Sequence, residues 1–286
     1  MVWKVFVRLL EYAPLWIFIK TARLIRYEKR IKFGGFIVSF AIRSIPRYRN
    51  RVLNNLDLIY PELTKHEKNE FLINFSRNLG QTFTEFLFNE EFHAKQSIKL
   101  TNSDQLEEIH TAKRKKRPII IVSGHLGPWE AIRAILKRNG LETAAVYQKS
   151  KNNFYQPYHH KVISAGGTPI FQANRKGTVA MIRHLKAGGI VCVMIDQAIS
   201  SGRYINFLGK PAKTTFAVAD LAIRYNALLI PAYSIRQKNT NLVRVALESP
   251  VPVSTPETMT KKLNQSLTRR IRENPTQWYW VHNRWK

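Results

Sequence analysis

The chain is short of three things. It has one cysteine, Cys192, in 286 residues, which excludes a disulfide framework and any zinc site built from cysteine thiolates. It is poor in acid: 19 Asp and Glu face 46 Lys and Arg, a formal net charge of +27. It also lacks a long unbroken apolar run. The N-terminal stretch Val5 to Ile19 is interrupted by Arg8, Glu11 and Pro14, whereas a spanning helix needs roughly 20 predominantly apolar residues. Lys20 and a basic segment follow where a small-residue cleavage site would stand, so a cleaved secretory signal is not expected. Internal repeats, low-complexity tracts and Pro/Gly/Ser linkers are missing too, which leaves no sharp domain boundary.

What is present is ordinary globular composition, 44% apolar and 23% charged, with enough chain for a sizeable core. A charge excess this large on a folded chain implies an anionic partner: nucleic acid, a membrane surface, a phosphorylated substrate or an acidic protein. Pro14 suits the first position of a helix. From it Leu15, Phe18, Ala22 and Ile25 fall on one face, and Lys20, Arg23, Arg26 and Arg30 on the other. With Trp16 alongside, this is the make-up of an interfacial helix on an anionic leaflet; a helical subdomain with a solvated basic face gives the same pattern. A second apolar patch from Phe36 to Ile42 precedes Arg43, Arg47, Arg49 and Arg51. We therefore expect membrane-associating helices over residues 1–52 and an α/β domain over 53–286, of which 53–113 is a mainly helical lead-in.

Within that lead-in Leu72, Phe75, Leu79, Phe83 and Phe86 recur near a 3.6 period, and Thr64 with Glu67 forms a capping-box pattern. From Arg117 short apolar runs alternate with amphipathic segments. Strands are predicted at Pro118 to Val122, Ala144 to Tyr147, around Ile170, Ile190 to Ile195, Leu228 to Ile235 and Leu242 to Leu247. Helices are predicted at Pro128 to Arg138, Tyr155 to Ala165, Lys176 to Lys186, Thr214 to Tyr225 and Pro256 to Arg272. The alternation predicts an α/β fold with a largely parallel central sheet flanked by helices. Ligands of such sheets bind at the carboxyl ends of the strands.

One histidine stands at such an end. His125 follows Ile119-Ile120-Ile121-Val122 in the run Ser123-Gly124-His125-Leu126-Gly127-Pro128-Trp129-Glu130. Gly124 and Gly127 permit a tight turn, and Pro128 is placed to open the next helix. Glu130 then lies in a first helical turn, from which it can fold back onto His125. A carboxylate on one ring nitrogen fixes the tautomer and leaves the other nitrogen to take a proton; a capping histidine beside a carboxylate is the structural alternative. No Gly-x-Ser-x-Gly elbow occurs and Cys192 sits inside an apolar run. Direct attack by a substrate hydroxyl is therefore favoured over a covalent enzyme intermediate. Backbone N–H groups near Gly127 are candidates for an oxyanion site. Arg175 and Lys176 open a helix, where cations and free N–H groups suit a phosphate. Lys210 and Lys213 flank the Gly209-Pro211 turn. For all four the alternative is a solvated surface charge.

His125-Leu-Gly-Pro-Trp-Glu130 resembles the His-x4-acid motif of the glycerolipid acyltransferase superfamily, and most of the chain resembles one branch, the late acyltransferases of lipid A biosynthesis (lauroyl/myristoyl type). The similarity includes Asn55 to Glu62, Asn78-Leu79-Gly80 with Glu85, Asp196-Gln197, Phe207 to Ala212 with Thr214-Thr215, Pro231 and the Trp-rich segment from Pro275 to Lys286. The resemblance implies His125 as the base that activates a hydroxyl of a phosphorylated lipid acceptor, a lipid A precursor, with Glu130 orienting it. It further implies an acyl thioester on acyl carrier protein as donor, no cofactor or metal, and the cytoplasmic face of a bacterial inner membrane. Asp196 and Gln197 are then candidate substrate-binding residues. Where the branch usually carries Tyr-Arg, this chain has Tyr147-Gln148, with Lys149 adjacent as a partial substitute. Another lipid acceptor (a lysophospholipid, an ornithine lipid or a glycolipid) is the alternative within the class. Two other classes compete: a nucleic-acid-binding module, with Trp278, Trp280, Trp285 and Arg284 as a stacking platform, and a non-catalytic scaffold. No zinc finger, RNA-recognition motif or clear helix-turn-helix signature supports nucleic acid.

Overall fold

Five helices lead the chain: α1 (Val2–Ala22), α2 (Tyr27–Ser44), α3 (Pro46–Ile59), α4 (Lys65–Leu87) and α5 (Asn89–Lys95). They belong to a computed structural model that describes residues 2–238 and 240–285. Helix α4 starts at the expected capping box, with Thr64 Oγ1 accepting from the Glu67 N–H and the Glu67 carboxylate accepting from the Thr64 N–H. Helices α2 and α4 cross backbone to backbone. A Cβ on Gly80 would stand 2.8 Å from the Gly34 carbonyl oxygen and 2.9 Å from Gly35 Cα, so no side chain fits there. The Ser39 and Ser76 hydroxyls bond across the same contact at 2.9 Å.

Two N-terminal expectations are corrected. Pro14 lies inside α1 rather than at its start. The helix ends at Ala22 and α2 begins at Tyr27, so residues 15–30 do not share one helical phase. Arg30, expected on the basic stripe of an interfacial helix, is 4% exposed. It donates to the carbonyls of Ala22 (2.8 Å) and Ile25 (3.1 Å), pairs with Glu91 at 2.6 Å and lies over the Phe88 ring. It is the C-terminal cap of α1, where a cation meets unpaired carbonyls and the negative end of the helix dipole. Ile19, Ala22, Leu15 and Phe18 pack inward with Phe88. The exposed apolar face is instead Phe6, Leu9, Leu10, Trp16, Ile17 and Leu24, continued by Phe33, Phe36 and Phe40 of α2. Among the described residues no helix is long and apolar enough to cross a membrane. Helix α3 runs unbroken through residue 52, where a division was expected, and buries Val52, Asn55 and Leu56.

The α/β part follows as β1 (Ser97–Leu100), α6 (Asp104–Arg114), β2 (Ile119–Ser123), α7 (Glu130–Arg138), β3 (Ala144–Tyr147), α8 (Gln156–Ala165), β4 (Ile170–Gln172), α9 (Arg175–Lys186) and β5 (Ile190–Met194). It continues as β6 (Arg203–Phe207), β7 (Lys210–Thr214), α10 (Ala217–Arg224), β8 (Leu228–Arg236), β9 (Leu242–Leu247), α11 (Pro256–Glu273) and a 3-10 turn at Pro275–Gln277. Seven strands form one sheet in the order β1-β9-β8-β2-β5-β3-β4, parallel except where β8 meets β9. The expected α/β class with a largely parallel central sheet is what the chain adopts. Strand β2 is central. Ile120 and Val122 pack into one apolar core and Ile119 and Ile121 into the other, as in a sheet covered on both faces. The helix expected from Thr214 starts only at Ala217. Residues 203–214 form the separate β6–β7 hairpin, turning through Leu208 (φ 54°) and Gly209 (φ 89°), both in the left-handed region that a two-residue hairpin turn demands.

Candidate active site

His125 sits in the loop between β2 and α7, at the carboxyl end of the central strand. Gly127 holds φ +57°, and a Cβ there would collide with the Ser234 carbonyl, so the turn that presents His125 requires glycine. The neighbouring strand β5 is continued by Ile195 and Asp196, since the Ile195 N–H donates to the Ser123 carbonyl. Asp196 is thereby delivered beside His125. Its Oδ1 lies 2.8 Å from His125 Nδ1, and its Oδ2 accepts from the His125 backbone N–H at 2.7 Å and from Trp278 Nε1 at 2.9 Å. The aspartate side chain is 2% exposed and the histidine side chain 21%. Burial would raise the Asp196 pKa, but the His125 charge and these donors hold it down at about 2. Burial disfavours the charged imidazole of His125, and the Asp196 carboxylate outweighs that, leaving its pKa above the ordinary histidine value.

The expected His125–Glu130 contact is not formed. Glu130 begins α7 and points to α5 and α8: Oε2 accepts from Asn89 Nδ2 at 3.0 Å and from Arg133 Nη1 at 3.2 Å, and stands 3.7 Å from His93 Nε2. Burial opposes its ionisation, and Arg133, His93 and Asn89 outweigh that, holding the carboxyl below its usual range. The side chain that turns to His125 from this stretch is Trp129, with ring centroids 5.3 Å apart, joined by Tyr279 at 5.7 Å. The Gly127 N–H is likewise engaged, donating to the Gln277 carbonyl at 2.9 Å; it offers nothing to an oxyanion.

Of the other candidates only Asp196 is gathered at His125. Asp196 is walled in by its three donors, which makes it a partner of His125 rather than a substrate-binding group; Gln197 beside it is exposed. Lys149 follows β3, and Arg175 and Lys176 open α9 beyond β4. All three are exposed on the same edge of the sheet as His125, two and three strands away from β2. Lys210 and Lys213 lie on the β6–β7 hairpin, and Lys213 Nζ stands over the Tyr204 ring at 5.6 Å. Cys192 is half-buried within β5, and desolvation pushes its thiol up to about 11, which disfavours the thiolate. Of the aromatics expected as a stacking platform, Trp278 and Trp280 are buried core and Trp285 is half-buried against it, while Arg284 is fully enclosed, bonded to Thr214 Oγ1.

Sequence reasoning missed the C-terminal segment as a site element. Leu126 and Trp278 form an isolated antiparallel bridge, and Gln277 clamps the His125 loop. It also missed a half-buried aromatic row leading away from His125. Trp129 meets Phe86 (6.3 Å), Phe86 meets His159 (6.0 Å), Tyr155 stacks on His159 (5.3 Å) and Tyr12 of α1 meets Tyr155 (6.0 Å). The signal available was the density of aromatics in Phe83 to Phe86 and Tyr155 to His159.

Comparison with known proteins makes the chain an acyltransferase. More narrowly, it belongs to the bacterial lipid A biosynthesis acyltransferase family, whose profile matches residues 4–286. It is similar to the lipid A biosynthesis lauroyltransferase of Escherichia coli (strain K12), with 23% identity over 272 residues covering 91% of this chain and 86% of that protein. Among solved structures it is similar to the 1-acyl-sn-glycerophosphate (LPA) acyltransferase of Thermotoga maritima, at 14% identity and a TM-score of 0.40, covering 87% of this chain and 98% of the other.

Proposed function

We propose that the enzyme moves a fatty acyl group from a thioester on acyl carrier protein to a hydroxyl of a phosphorylated lipid A precursor, with His125 as general base and Asp196 as its positioning carboxylate. The observation that carries this reading is the 2.8 Å contact of Asp196 Oδ1 with His125 Nδ1, which leaves Nε2 as the nitrogen that accepts a proton. The acceptor O–H gives its proton to Nε2 as the oxygen attacks the thioester carbonyl. That attack forms the C–O bond and the tetrahedral intermediate; its collapse restores the carbonyl, breaks the C–S bond and returns the proton from Nε2 to the departing thiolate. The imidazolium formed midway is stabilised by the buried Asp196 carboxylate. No cofactor or metal enters these steps.

The reading extends to location. The exposed apolar faces of α1 and α2, with Lys20, Arg23 and Arg26 beside them, support peripheral contact with the anionic cytoplasmic leaflet of the inner membrane. The aromatic row from Tyr12 to His125 supports a path for lipid chains between that surface and the base. The test is turnover of acyl carrier protein thioester and lipid A precursor by purified enzyme, beside His125→Ala and Asp196→Asn. We expect losses of about 10²–10⁴-fold, the scale of a general base. Equal turnover in all three proteins would remove the reading.

A further inference from the structure

On the other flank of α4 from the Phe83–Trp129 contact, a cleft of about 970 Å3 opens between α2, α4, the start of β1 and the end of β8. Its chemistry is that of a sugar phosphate site. Amide side chains line it: Asn78, Gln81, Gln96, Gln237, Asn241 and Gln277. Amides both donate and accept, which matches sugar hydroxyls. The cations Lys32, Arg77 and Lys238 join them, and none of the three forms an ion pair with a described carboxylate. Glu28 also lines the cleft, and Glu85 is neutralised by Arg236 through bonds of 2.7 and 2.5 Å. Tyr27, only 6% exposed, closes the floor of the cleft, and its buried hydroxyl has no hydrogen-bond partner among the described residues.

Two further relations tie the cleft to lipid and to the base. Lys32 at its edge is followed on the same helical face by Phe36 and Phe40, at i+4 and i+8, both exposed. A polar headgroup held in the cleft thus has an apolar ridge beside it for acyl chains. Gln277 stands between the cleft and His125. Its side chain bonds the Arg236 N–H and carbonyl at 2.9 Å each, and its own carbonyl takes the Gly127 N–H. Arg236 ends β8, the immediate neighbour of β2, and neighbouring strands lie about 4.8 Å apart. We propose that this cleft binds the phosphorylated sugar headgroup of the lipid acceptor, with Lys32, Arg77 and Lys238 on the phosphate and the amides other than Gln277 on the sugar. The proposal rests on the reading of the acceptor given above.

The test uses the full chain in detergent with Lys32→Gln, Arg77→Gln and Lys238→Gln combined, its fold checked by thermal scan. Acceptors are a phosphorylated glycolipid and the same glycolipid after phosphate removal. We expect the triple variant to lose at least about tenfold in kcat/KM on the phosphorylated acceptor, a difference of about 1.4 kcal/mol, and less than twofold on the other. The same fold loss on both acceptors overturns the proposal. A second arm titrates His125→Ala enzyme, with and without the triple substitution, with glucose monophosphate, inorganic phosphate and phosphatidylglycerol vesicles. Binding of the sugar phosphate ahead of the other two, abolished by the triple substitution, supports the cleft even if no acyl transfer to any glycolipid is found, which would count against the acyltransfer reading alone. Equal binding of inorganic phosphate, or binding of vesicles only, overturns the sugar assignment.

Discussion

Asp196 holds His125 at two points, taking the backbone N–H on one oxygen and facing Nδ1 with the other, across 71 residues of sequence. The ring is fixed in place and in tautomer by one buried carboxylate, itself held by the indole of Trp278.

That pairing sets a pH dependence. In the proposed mechanism only the neutral His125 ring accepts the proton, and Asp196 raises its pKa above the ordinary histidine value. Activity should therefore rise with pH through a value above the ordinary histidine range. Asp196→Asn removes the charge and leaves burial, which favours the neutral ring, so the acid limb of kcat/KM should move to lower pH while the maximum falls about 10²–10⁴-fold. An unmoved limb would count against the pair. Stability runs the other way. The His125 share is present below 6.5 and is lost as pH rises through its folded pKa, while the Asp196 share is present above 3.8 and is lost as pH falls towards about 2.

Glu130→Ala should act through stability. It leaves Arg133, 4% exposed, without its carboxylate, and breaking a buried pair costs about 3–5 kcal/mol. We expect a clear drop in Tm by calorimetry. Activity per folded molecule should fall less than for Asp196→Asn, with no movement of the acid limb.

Arg30→Ala should loosen α1. The substitution uncaps the carbonyls of Ala22 and Ile25 and strands Glu91. Faster amide hydrogen exchange over residues 15–25 and a lowered Tm are expected. Arg30→Lys should rescue only part, since an ammonium cannot match the guanidinium fork.

Phe36→Ser with Phe40→Ser removes exposed apolar surface (65% and 61% exposed) that packs on no core. Tm should hold while binding to anionic vesicles in a sedimentation assay weakens at least about tenfold, since each exposed side chain newly buried in lipid contributes about 1.5–3 kcal/mol. Unchanged binding would count against membrane contact through α2.

The legible part of this chain was periodic and local. Strand β2, helix α4 with its Thr64 cap, and the glycine turn around His125 all follow from spacing and turn chemistry within a dozen residues. The partner of His125 did not, because Asp196 reaches it through the order of strands, β5 beside β2, which no local pattern contains. Glu130 was the nearer acid in sequence, but α7 carries it towards α5. Arg30 was misassigned for a geometric reason: a helical face was extended from Pro14 through a break at residues 23–26. The β6–β7 hairpin hid behind Lys210, Pro211 and Lys213, residues that read as turn rather than strand.

The clamp formed by Gln277 and Trp278 also has a consequence in time. The His125 loop and Asp196 are synthesised early, yet the contacts that hold them come from residues 277 and 278. A nascent chain that has emerged only through α11 carries both reacting partners without their clamp. Acyl transfer should therefore switch on late in translation, once residues 277 and 278 have emerged, and not while the chain is still partly made.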